Sequence, residues 1–101
     1  MQILTPGHRY VASNFEKPEN GQTIQFIEKT QSEQNQLVTV NDGTTNEEVI
    51  IILLDRLSFL NAKFPCVENE KAIYHLGIAL SALNERTANR KARNVEGKHE
   101  A

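Results

Sequence analysis

The sequence predicts an α+β fold: a small N-terminal antiparallel β-sheet followed by a C-terminal antiparallel two-helix hairpin. The hydrophobic period changes once along the chain, at the turn dipeptide Asp42-Gly43. Before it, apolar residues come in short alternating pieces, as in half-buried strands. After it they recur at intervals of three and four, as in amphipathic helices. At 101 residues the chain reads as one domain over 1–101, with a β-meander over 1–43 and a hairpin with a short C-terminal tail over 44–101.

Taken in order, Arg9-Tyr10-Val11-Ala12-Ser13 is the first expected strand, ended by the polar stretch 16–21. The second, residues 23–28, alternates apolar and polar and carries β-branched and aromatic side chains. Leu37-Val38-Thr39-Val40 is the third, and the polar segment 30–36 before it reads as a mobile hairpin loop. Connections this short favour a three-stranded antiparallel meander. Next, Thr44 with Glu47 and Thr45 with Glu48 form two overlapping capping boxes just before an apolar run, which predicts a helix over 45–61. Val49, Ile50, Leu53, Leu54, Leu57 and Leu60 share its inner face, while Ile51 and Ile52 add apolar surface elsewhere.

Pro65 interrupts the pattern, and a second helix is expected over 68–93. Its stripe is Ile73, Leu76, Leu80 and Leu83, flanked by Ala72, Ala79 and Ala82, with Asn94 as a left-handed C-cap. Gly77, costly inside a helix, is expected to mark close helix approach. At 1.5 Å per residue the second helix runs roughly 39 Å and the first about 25 Å, so the last turns overhang. Such a hairpin leaves apolar faces uncovered, and self-association is the simplest cover. The alternative is that the sheet alone covers them.

Composition removes several classes. The formal charge of −2 and pI near 5.9 oppose general nucleic-acid binding. The longest apolar run, 49–54, is far short of a membrane span, and residues 1–6 lack the charged and apolar regions of a signal peptide. The single Cys66 excludes an internal disulfide and a cysteine-rich metal site. His8, His75 and His99 lack zinc-ligand spacing. No glycine-rich phosphate loop occurs, and Cys66 with His75 has neither an orienting residue nor an oxyanion hole. No catalytic residue, metal or cofactor is expected.

The informative stretch begins at Glu85. Arg86, Arg90 and Arg93 stand at i, i+4 and i+7 and so share one helix face, with Thr87 and Asn89 adding short hydrogen-bonding groups. Each guanidinium is a planar fork that pairs with two phosphate oxygens at once. The plainer alternative is a solvated helix end whose cations complement the dipole. Aromatic rings matter because a nucleotide base stacks on a flat surface. Phe59 and Phe64 flank the inter-helix turn, at the opposite end of the hairpin from the arginines. One chain cannot easily use both sets, whereas two antiparallel chains can; alternatively both rings pack the turn.

Thr45-Asn46-Glu47-Glu48, Asp55-Arg56-Leu57, Glu68-Asn69, Ala79-Leu80-Ser81-Ala82-Leu83 and the string Arg-Thr-x-x-Arg-x-x-Arg-x-Val-Glu-Gly from Arg86 to Gly97 carry a resemblance. Across roughly 39–99 the chain resembles the helical hairpin of phage Thoeris anti-defence proteins, shared with phage anti-CBASS sponges. It departs from that pattern at Asn94 and Lys98, where the family has glycine and threonine, and in an inter-helix turn one residue shorter.

The resemblance implies a sponge that holds a cyclic ADP-ribose isomer, or cyclic di- or trinucleotides, without cleavage. It implies a homo-oligomer, dimer or hexamer, in the cytoplasm of the infected bacterial host. By motif the ligand-contacting arginines fall on Arg86 and Arg90, the asparagine opening the second helix on Asn69, and a stacking aromatic on Phe59. Two rivals remain: a protein–protein inhibitor using the apolar hairpin face, and a weak nucleic-acid binder using the basic helix end.

Overall fold

The computed structural model describes residues 1–92; Arg93, Asn94 and the positions after them lie outside the described residues. Five strands come first: β1 (Gln2–Thr5), β2 (Arg9–Ala12), β3 (Gln22–Gln25), β4 (Glu28–Gln31) and β5 (Leu37–Asn41). Two helices follow, α1 (Asn46–Lys63) and α2 (Val67–Ala92). The α+β class is borne out, strands first and helices second. The chain separates into two compact units between Thr45 and Asn46.

The β unit holds two sheets where three strands in one meander were expected. One is an antiparallel β1-β2-β3 sheet and the other a β4-β5 hairpin. Strand β1 went unread because only its apolar pair, Ile3-Leu4, marks it. Pro6-Gly7 makes the turn after it: Gly7 has φ +81° and the His8 N–H donates to the Thr5 carbonyl at 3.0 Å. Proline then glycine at the two central positions is the type II preference. Ile3 stands opposite Tyr10, and Tyr10 opposite Ile24, so one face gathers these three side chains. The Tyr10 ring meets Phe26 edge-on, centroids 6.0 Å apart.

The expected strand over 23–28 breaks at Phe26-Ile27, and the cause is Thr44. Its N–H donates to the Gln25 carbonyl at 2.8 Å, and its own carbonyl accepts from Ile27 N–H at 2.9 Å. This isolated parallel bridge ends β3 and redirects the chain into β4. Gly43 makes the approach possible, because a Cβ there would lie 2.3 Å from the Gln25 carbonyl oxygen. The expected loop over 30–36 is in part strand, and its turn is ordered. Asn35 takes φ 63°, Ser32 N–H donates to the Gln36 carbonyl at 2.8 Å, and Gln31 Nε2 donates to Asn35 Oδ1.

The helical unit starts at Asn46, which makes Thr45 the N-cap and Glu48 the N3 partner. The other capping box is set aside because Thr44 is held in the β-bridge. Helix α1 runs two residues past its expected end, and α2 begins one residue early. Leu54, Leu57 and Leu60 of α1 and Ile73, Leu76, Leu80 and Leu83 of α2 are half-buried along the seam. Neither helix contains a fully buried residue. Leu53, placed inward by spacing, is instead exposed, as are Ile51, Ile52, Ala79 and Ala82. Among the described residues Gly77 is not a point of close approach, since an added Cβ would meet nothing within 4 Å.

Candidate functional site

Helix α2 has 26 residues against 18 in α1, so it outruns its partner by roughly 12 Å. Arg86 and Arg90 stand on this overhang. They are one turn apart, about 6 Å along the axis. Arg86 is exposed, whereas Arg90 is half-buried. Leu76, Leu80, Leu83, Thr87 and Arg90 follow one another at alternating steps of four and three, so Arg90 falls on the line of the inward stripe. Thr87 is half-buried on the same line. Asn89 and Arg90 are each engaged by neighbouring groups. Arg93 lies outside the described residues.

At the other end, Phe59 and Phe64 do not pack the turn. They are 59% and 79% exposed, which leaves aromatic surface open to a flat ligand. Lys63 Nζ stands 4.6 Å from the Phe59 ring centroid, a cation–π pair one turn apart on α1. Sequence reading passed over Lys63; its i+4 spacing from an aromatic was the available signal. Asn69 is half-buried, four residues before Ile73 and so on the seam side. Its backbone N–H donates to Cys66 Sγ at 3.4 Å. Cys66 is thus the N-cap of α2, a structural part for the thiol.

The structure brings Phe59, Phe64 and Asn69 to one end of the hairpin, and Arg86 and Arg90 to the other. From Asn69 to Arg86 the helix advances about 26 Å, too far for one small ligand to bridge within a single chain. Among the described residues no cluster of acidic, histidine and cysteine side chains could hold a metal ion, and no helix is long and apolar enough to cross a membrane. An open depression in the β2–β3 loop, lined by Asn14, Phe15, Glu16, Lys17 and Asn20, shares no residue with the candidate set.

The hairpin therefore carries arginines towards one end and exposed aromatic rings at the other. No family model matches the chain. Over 60 residues, 58% of its length, the chain is 48% identical to Thoeris anti-defense 1 of Bacillus phage SBSphiJ7. That stretch is 42% of the relative, so the chain matches less than half the length of this curated protein. The name this relative carries is that of the family the motifs resemble.

Proposed function

We propose that the chain serves a phage against Thoeris immunity, as a sponge that captures a cyclic-nucleotide signal and holds it intact. The observation carrying this reading is the 48% identity to a Thoeris anti-defense protein, in a chain whose Arg86 and Arg90 stand one turn apart on a projecting helix end. Arg86 and Arg90 pair with ligand phosphates, with Arg93 continuing their row in sequence. Asn69 hydrogen-bonds base or ribose, and Phe59 or Phe64 stacks the base. The two tips belong to different chains of a homo-oligomer, dimer or hexamer, which encloses the ligand where water is excluded and charge pairing strengthens. The ligand is a cyclic ADP-ribose isomer, with CBASS cyclic oligonucleotides as further candidates, met in the cytoplasm of the infected host. No step of this action is catalytic.

Calorimetry against a panel of cyclic ADP-ribose isomers and cyclic oligonucleotides tests it. Capture of one class, with intact ligand recovered after heat denaturation, is the expected result. Recovery of a cleaved product would replace the sponge with a hydrolase.

A second reading is favoured by the exposure of Ile51, Ile52, Val67, Tyr74 and Ile78 on the hairpin. In it the apolar face docks on a host protein and inhibits it. Binding of no nucleotide, together with a stable complex with a Thoeris protein, would select this reading.

A further inference from the structure

The short linker between the helices is tied by a bond that crosses it. Phe64 N–H donates to the Leu60 carbonyl at 2.9 Å and closes α1, while Glu70 N–H donates to the Cys66 carbonyl at 3.2 Å and opens α2. Pro65 has no N–H to give. None of these joins one helix to the other. The Cys66 N–H does so, donating to Oδ1 of Asn61 at 2.9 Å. Asn61 is half-buried, four residues after Leu57 and therefore on the seam face of α1. Since Cys66 Sγ in turn accepts the Asn69 N–H, a chain of two bonds runs from Asn61 through Cys66 to Asn69.

We propose that Asn61 is a positioning residue, which sets Asn69 against Phe59 by fixing the start of α2 to the end of α1. This rests on the reading that Phe59 and Asn69 touch the ligand. Phe59 stands two residues before the clamp and Asn69 three residues after it. A rotation of the linker therefore moves one against the other. Hydrogen bonds weaken steeply once their angle falls below about 120°, so a small rotation is enough to degrade recognition. Asn61 adds no ligand contact of its own.

The test uses Asn61→Ala and Asn61→Asp in the full chain, probed with the same panel of cyclic ADP-ribose isomers. Aspartate keeps the Oδ1 acceptor and the size. Its charge disfavours the α1 C-terminus and favours the α2 N-terminus, so the two dipole effects offset. Asn61→Ala is expected to speed hydrogen exchange at the Cys66 amide and weaken capture about tenfold, the equivalent of one lost hydrogen bond. Asn61→Asp is expected to keep capture close to wild type. Leu57→Ala, which loosens the seam without touching the clamp, is expected to leave affinity per folded chain unchanged.

Undiminished capture by a folded Asn61→Ala overturns the inference, and so does a folded Asn61→Asp that binds poorly. The second criterion stands even if the alanine variant fails to fold. Wild-type protein that retains no isomer overturns the functional reading itself, a result distinct from either.

Discussion

Arg86 and Arg90 have the same side chain one turn apart, yet they occupy different surroundings. Arg86 is exposed, while Arg90 is half-buried on the line of the seam. Replacing both by alanine is expected to abolish measurable capture, because each charge-assisted hydrogen bond contributes about 1.5–3 kcal/mol. Arg86→Lys keeps the charge but loses the planar fork, and calorimetry is expected to show at least a tenfold weaker complex. Equal affinity in the lysine variant would remove paired recognition by Arg86. The arginine row was legible in the sequence because helical spacing alone puts i and i+4 on one face. The difference in burial was not, since it depends on whether Arg90 extends the leucine line. The Lys63–Phe59 pair was legible from its i+4 spacing, whereas the bond from Cys66 N–H to Asn61 depends on the path of the linker.

At the scale of elements, the helices were legible and the sheets were not. Capping boxes and a sustained 3.6 period survive any context, so both helices were placed to within two residues. Strands of four or five residues carry too few alternations to identify their partners. The bridge between Phe26 and Thr44 joins residues 18 apart, and no local pattern announces it. Two substitutions separate local from long-range effects. Thr45→Ala is expected to lower stability by about 1 kcal/mol through loss of the α1 N-cap. Gly77→Ala is expected to raise the stability of an isolated chain by about 1 kcal/mol, since the new methyl meets nothing among the described residues. Urea titration measures both. If Gly77→Ala instead lowers stability in a concentration-dependent manner, another copy covers that position. Gly43→Ala has no such choice, because the new methyl would meet the Gln25 carbonyl and loosen the β unit.

For the whole molecule, the decisive property is how little it hides. No side chain of either helix is fully buried, and Ile51, Ile52, Tyr74 and Ile78 face outward. On the proposed reading, this exposed apolar surface is where a second copy docks. Light scattering at rising concentration is expected to show more than one chain per particle. Ile52→Glu combined with Ile78→Glu is expected to reduce that mass and to weaken capture in parallel. Full capture by a strictly monomeric variant would show that one chain suffices, and would remove the two-tip arrangement.

The unequal lengths of the two helices have an energetic consequence as well. About two turns of α2 run on beyond the length of α1, and a stretch that short does not sustain itself as a helix in water. Its backbone amides, around Arg86 and Arg90, are therefore expected to exchange with solvent quickly when the ligand is absent and slowly when it is held. Part of the binding free energy then goes into winding this tip. Affinity should fall on warming more steeply than contacts alone require, and a helix-favouring change at the exposed position just before the overhang, Asn84→Ala, should tighten capture without touching the ligand.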